Sequence, residues 1–156
     1  MFETEYAAAK ASGEPLCVAF CDIDRFKRIN DMHGHDAGDR VIKAVARTLA
    51  GISDECCHVA RHGGEEFVVL LPGMTLDEAC AMLDRARETM ASRRLVNRGN
   101  DVSFGQITFS GGVADVIAAS DPRAALAAAD DALYRAKNGG RNRICRDGEV
   151  RLGSAA

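Results

Sequence analysis

The sequence predicts an α/β domain in which helices pack on the faces of a mixed sheet, and three features carry that expectation. Leu16-Cys17-Val18-Ala19-Phe20-Cys21 is a continuous apolar run of strand length, as in a strand buried on both faces. Val59 to Leu71 reads as a hairpin, with Gly63-Gly64 between β-branched and aromatic flanks. Segments with a 3.6-residue apolar period lie around these strands, so a hairpin is embedded among βα units.

In chain order, Glu3 to Ser12 is alanine-rich and stops at Gly13, which predicts a short helix closing on a glycine. The first strand follows Pro15 and ends in Asp22-Ile23-Asp24, placing carboxylates at the carboxyl edge of the sheet, where open α/β sheets hold ligands. Arg25 to Asp31 predicts one or two helical turns before Gly34. Asp36 is the expected N-cap of a helix over 37–50, with Val41, Ile42, Val45 and Leu49 on one face. The hairpin strands are expected near His58–Arg61 and Glu66–Leu71, with Gly63-Gly64 supplying the positive φ angles of the turn and Pro72-Gly73 ending the second strand.

Thr75-Leu76-Asp77-Glu78 fits a capping box for a helix running to about Ala91. A polar loop over 92–101 leads to a strand from about Gln106 to Ala114, where Gly111-Gly112 signals a bulge or a close backbone approach. Asp121-Pro122 opens another helical region, with Asp130 as the cap of a second helix inside it, ended by Asn138-Gly139-Gly140. A short strand near 142–145 completes the domain, taken as residues 1–147 with a tail over 148–156.

A chain of 156 residues buries about two thirds of its unfolded surface, enough for a core without staples. The net charge of −3 and the dispersed basic residues argue against a nucleic-acid-coating surface. The six cysteines form no C-x-x-C pair and have no histidines at zinc-finger spacing, so they read as reduced, partly buried thiols in a cytosol. No apolar run is long enough to span a bilayer, and the N-terminus is no signal peptide. The expectation is a cytoplasmic domain without membrane contact of its own, compatible with a place in a membrane-anchored receptor.

The chemistry concentrates at the hairpin tip. Glu65 and Glu66 precede a run bound for the core, which is costly unless the acids stay wet or meet a cation. A solvated tip and a metal or phosphate site both satisfy that condition.

Four blocks sharpen the choice: Asp22-Ile23-Asp24-Arg25-Phe26-Lys27-Arg28-Ile29-Asn30-Asp31, Gly34-His35-Asp36-Ala37-Gly38-Asp39, Arg61-His62-Gly63-Gly64-Glu65-Glu66-Phe67, and Ala132-Leu133-Tyr134-Arg135-Ala136-Lys137 followed by Gly140-Arg141-Asn142. In order and spacing they resemble the GGDEF family, the catalytic domain of diguanylate cyclases, over about residues 14 to 145. The resemblance implies a mixed five-stranded sheet with an antiparallel signature hairpin, surrounded by helices and related to polymerase palms and nucleotide cyclases. It implies condensation of two GTP molecules into cyclic di-GMP with release of two pyrophosphates, each half-site coming from one subunit of a homodimer.

By the same resemblance, Asp22, the Ile23 carbonyl and Glu65 are ligands of Mg²⁺, with Mn²⁺ as an alternative, and Glu66 is a second-metal ligand or proton acceptor. Hard cations with oxygen ligands suit a site that must bring triphosphate and carboxylates together. Lys137 and Arg141 match the phosphate-gripping pair, the amides of Arg25 and Phe26 an anion nest, and Lys27 a further contributor. Asn30 and Asp39 match the guanine-reading positions, because a carboxylate can accept from guanine N1–H and N2–H₂ together. Outside the resemblance, Asn30 reads as a helix C-cap, Asp39 as a first-turn helix acid, and Asp24, His35 and Arg61 as braces of their turns; the histidines show no metal-ligand pattern.

The family's Asp-x-Leu-Thr-Gly-Leu-x-Asn-Arg segment before the first helix has no counterpart, as expected of a sequence cut at a domain edge. The two positions of the product-inhibition motif Arg-x-x-Asp hold Asp54 and Cys57, so no product-inhibition site is expected. A sensory or regulatory domain is expected upstream in the full-length protein. A catalytically weak module that binds GTP or cyclic di-GMP, and a purely structural dimerisation domain, are the competing functions.

Overall fold

The computed structural model describes residues 2–52, 57–97, 99–119 and 121–148. The expectations placed on Asp54, on Cys56 and on the tail past Gly148 fall outside them. The elements are α1 (Phe2–Ser12), β1 (Leu16–Ile23), α2 (Phe26–His33), α3 (His35–Ala50), β2 (His58–Gly63), β3 (Glu66–Pro72), α4 (Leu76–Ser92), β4 (Phe109–Asp115), α5 (Val116–Ala119), α6 (Pro122–Asn138) and β5 (Ile144–Arg146). The strands form one five-stranded sheet in the order β2-β3-β1-β4-β5. β1 lies antiparallel to both β3 and β4, β2 antiparallel to β3, and β5 parallel to β4. The mixed sheet is therefore as expected.

β1 is central because its run is apolar on both faces. Cys17, Ala19 and Cys21 point with Phe67, Val69 and Leu71 toward Val41, Val45, Leu83 and Met90 of α3 and α4. Leu16 and Val18 point the other way, onto Ala9, Ala125 and Ala129 of α1 and α6. The alternation assigns each face its own helices. Burial holds the Cys17 and Cys21 thiols up at about 12 and Cys57 at about 11, so these groups stay protonated and inert.

Several boundaries differ from expectation, β5 among them, at Ile144–Arg146 instead of 142–145. Gly34, with φ 90°, both ends α2 through its N–H on the Asn30 carbonyl and caps α3, which leaves Asp36 in the first turn instead of at the cap. The hairpin register shifts between Arg61 and Gly63, so Gly63 still pairs with Glu66 and the turn consists of Gly64 (φ 46°) and Glu65. The extra residue of the bulge moves the turn one place along. Asp130 lies exposed within an unbroken α6, because Ala125, Ala129, Leu133 and Ala136 continue one buried stripe. β4 begins at Phe109 instead of Gln106. The short α5 follows it, nucleated by the Asp115 carboxylate accepting from the Ile117 and Ala118 amides.

The close approach signalled by Gly111-Gly112 is present, without a bulge. A Cβ on Gly112 would stand 2.2 Å from both the Ala129 carbonyl oxygen and the Leu133 nitrogen, so the α6 backbone rests directly on β4. Those atoms are backbone and cannot rotate away. Gly112→Ala is expected to lower unfolding free energy by at least about 1–3 kcal/mol, the usual range for overpacking, in urea denaturation. A variant as stable as the parent would contradict this contact.

Candidate active site

The register of β1 fixes the site. Asp22 is paired with Glu66 across β1 and β3, and the next amide, that of Ile23, donates to the Glu65 carbonyl at 3.1 Å. Directly opposed residues of an antiparallel pair project to the same face, so two carboxylates meet side by side, an unfavourable pairing without a cation. α6 supplies one: Lys137 Nζ donates to Asp22 Oδ2 at 2.6 Å. Asp22 is buried and Lys137 about one third exposed, so the lysine reaches in from solvent to the end of the sheet.

Burial is the larger influence on Asp22 and raises its pKa above the ordinary carboxylate value. The Lys137 hydrogen bond and charge pull it down, and the charges of Glu65 and Glu66 push it up again. The net direction is up. Among the described residues no three His, Cys, Asp or Glu side chains close into a metal cluster. The donors present, Asp22, the Glu65 and Glu66 side chains of the hairpin and the Ile23 carbonyl at the strand end, are all oxygen. They fit a hard divalent cation, which prefers oxygen ligands and would need further oxygens to complete its shell.

Arg25 is the left-handed residue, φ 54°, between β1 and α2, and the first-turn amides of α2 follow it at the sheet edge. Arg25, Lys27, Arg28, Asp31 and Arg141 line one open cavity of about 420 Å³, so the predicted cations on α2 and after α6 share a surface. Asn30 sits in α2 facing α3, where a Cβ on Gly38 would stand 1.9 Å from its Oδ1. That oxygen is buried without a hydrogen-bond partner among the described residues. Gly34, and not Asn30, is the C-cap of α2. Asp39 is exposed on α3, beyond the first turn.

One of the expected turn braces, Arg61, is visible as such, whereas Asp24 ties its turn to distant parts of the chain. Arg61 Nε donates to the Gly64 carbonyl at 2.9 Å and holds the hairpin tip. Asp24 accepts from the Thr108 and Ser110 hydroxyls and from the Asn142 amide. Those partners, far along the chain, are what sequence reasoning missed. Three of the four histidines make other contacts: His58 meets Glu5 at 3.1 Å, His62 packs on Phe20 and His33 on Phe104, while His35 lies exposed at the start of α3.

Fold and site define an α+β domain with an acidic sheet edge answered by helix-borne cations. A family model described as diguanylate cyclase, GGDEF domain, matches residues 1–143, and the chain belongs to that family. It is 42% identical over 142 residues to diguanylate cyclase DgcP of Pseudomonas aeruginosa, covering 91% of this chain and 21% of DgcP. The GGDEF domain of DgcB from Caulobacter crescentus, solved in complex with c-di-GMP, superposes with a TM-score of 0.90 at 34% identity, over 95% of this chain and 84% of that one. The active GGEEF domain of a diguanylate cyclase from Vibrio cholerae gives 0.81 at 31% identity, over 96% and 93%. The chain thus spans about a fifth of the length of DgcP and nearly all of an isolated catalytic domain.

The raised pKa of Asp22 carries a prediction about stability. A carboxyl whose folded pKa exceeds its unfolded value binds protons more readily when folded, so its contribution is greatest at low pH and is lost as pH rises through the raised value. Asp22→Asn is therefore expected to equal the parent near pH 3 and to be the more stable protein at pH 7. Denaturant midpoints at the two pH values check it, and a destabilised variant at pH 7 would contradict the dominance of burial.

Proposed function

We propose that this domain condenses two GTP molecules into cyclic di-GMP, releasing two pyrophosphates. The observation that carries the reading is the meeting, at one sheet edge, of Asp22, Glu65, Glu66 and Lys137, with Arg141 on the adjoining cationic surface. Mg²⁺, or Mn²⁺ in its place, held by Asp22, the Ile23 carbonyl and Glu65, would supply Lewis-acid stabilisation at the α-phosphate. The protein's own residues then do the positioning that dominates phosphoryl transfer. Lys137 and Arg141 grip the phosphates, the amides of Arg25 and Phe26 cradle them from the start of α2, and Lys27 adds charge. Lys137 also offsets the Asp22–Glu66 repulsion when no phosphate is there to receive it. Glu66 would act as a second-metal ligand or accept the proton of the attacking 3′-hydroxyl.

Asn30 and Asp39 read the base. The Asn30 Oδ1, without a partner among the described residues, is an acceptor awaiting a donor, and the guanine edge offers N1–H and N2–H₂. Gly38 makes room for that amide. Each domain holds one nucleotide, so turnover requires a homodimer in which two half-sites face one another. An upstream sensory or regulatory domain would control that encounter in the full-length protein, and GTP as substrate places the domain in the cytoplasm. Among the described residues no helix is long and apolar enough to cross a membrane.

Incubation with GTP and Mg²⁺ followed by chromatography is expected to show cyclic di-GMP, and Glu65→Gln is expected to abolish it. Nucleotide binding without product would instead identify a regulatory module. Because two half-sites must meet, the rate is expected to rise faster than linearly with protein concentration, and strict proportionality down to nanomolar protein would contradict an encounter-limited dimer. Gly38→Ala and Asp39→Ala are each expected to weaken GTP binding relative to ATP by about 10-fold or more in calorimetry, the scale for unpairing a base-reading group. Equal loss for both nucleotides would remove Asn30 and Asp39 from base reading.

A further inference from the structure

Arg141 is held in a conformation that its own sequence does not favour. It and Asn142 both adopt left-handed backbone, φ 64° and 47°, although neither is glycine. Something must hold them there. Asn142 is fastened at both its backbone and its side chain. Its amide donates to Asp24 Oδ2 at 2.9 Å, and its Oδ1 accepts from Arg87 NH1 of α4 at 2.9 Å. Both anchors are themselves fixed. The Thr108 hydroxyl donates to the same Oδ2, and the buried Ser110 hydroxyl to Oδ1, each at 2.6 Å. Arg87 is oriented by Asp84 at 2.7 Å, one turn back on α4. The Arg141 amide closes the loop onto the Ala136 carbonyl at 3.0 Å, and Arg143 Nε donates to the Arg141 carbonyl at 3.0 Å.

We propose that Asp24 is the positioning residue that fixes Arg141 against the phosphates, with Arg87 bracing the same loop from α4 through Asn142. The inference rests on the reading of Arg141 as a phosphate contact. Asp24 is only two residues beyond Asp22, yet its three acceptor contacts commit it to this loop. All the donors are uncharged, so the carboxylate works as an acceptor hub and not as half of an ion pair. A planar guanidinium makes directional contacts, and its hold on phosphate depends on where the loop aims it. Arg87 lies on a helix that contributes none of the proposed ligands, which separates its effect from theirs.

The test is steady-state GTP kinetics on the dimer-competent enzyme, with Arg87→Ala, Asp24→Asn, Arg141→Ala and the doubles with Arg141→Ala. Arg87→Ala and Asp24→Asn are expected to raise KM for GTP about 10-fold with a smaller change in kcat, the pattern of lost positioning. Neither is expected to add to the KM effect of Arg141→Ala, because each acts through that residue. Arg87→Lys, which can still donate to the Asn142 Oδ1, is expected to restore most of the loss. Amide exchange at Asn142 is expected to quicken in both single variants. If Asp24→Asn does not fold, Thr108→Val, which removes one of the donors that orient Asp24, is expected to raise KM in the same way, and an unchanged KM there would overturn the role of Asp24. Additive KM effects, or an unchanged KM in Arg87→Ala while Arg141→Ala raises it, would overturn the bracket and leave the phosphate role of Arg141 standing. An unchanged KM in Arg141→Ala would overturn both.

Discussion

The backbone-to-backbone contact between Gly112 and α6 governs the rest of the site. With no Cβ on Gly112, the Ala129–Leu133 turn of α6 settles onto β4 beside the central strand. Lys137, one turn further along the same helix, then reaches the end of β1 and meets Asp22 at 2.6 Å. The helix continues to Asn138 and gives way to the loop that carries Arg141. A helix held away by one methyl group would move both cations relative to the carboxylates. One glycine therefore sets the distance between the acidic and basic halves of the site.

The acidic half is arranged against its own stability. Asp22 is buried, opposes Glu66 across the sheet and lies next to the hairpin that bears Glu65, and each of these features disfavours its ionised form. Lys137 relieves part of that cost without removing it, since the net pKa direction remains upward. Strain of this kind is characteristic of functional edges, and under the proposed function the charge would serve a ligand and not the fold. The same logic applies to Asn30, whose buried oxygen has no partner among the described residues.

Much of this was legible in the sequence, because the informative signals were local. The apolar run over 16–21 ending in Asp22, the capping box at Thr75 and Glu78 and the stripe of α6 each specify an element by short-range chemistry. The boundaries that shifted depend on tertiary context. Asp36 carries the composition of an N-cap, but Gly34 with its positive φ does the capping because one residue must end α2 and begin α3. Gly63-Gly64 looks like a two-residue turn until a bulge at Arg61–Gly63 carries the turn on to Glu65. No local pattern could reveal that Asp24 binds hydroxyls 84 and 86 residues away, or that Arg87 reaches Asn142 across 55. Such pairings exist only once the sheet order is known.

The measurement that most directly tests the coupling of these halves is a crystal structure of the domain with Mg²⁺ and a non-hydrolysable GTP analogue. The expected result places the metal on Asp22 and the hairpin glutamate, with Lys137 Nζ moved from Asp22 onto a phosphate oxygen and the base against Asn30 and Asp39. Nucleotide bound elsewhere, or bound with the Lys137–Asp22 pair intact and no metal on Asp22, would contradict the assignment of this sheet edge as the catalytic site.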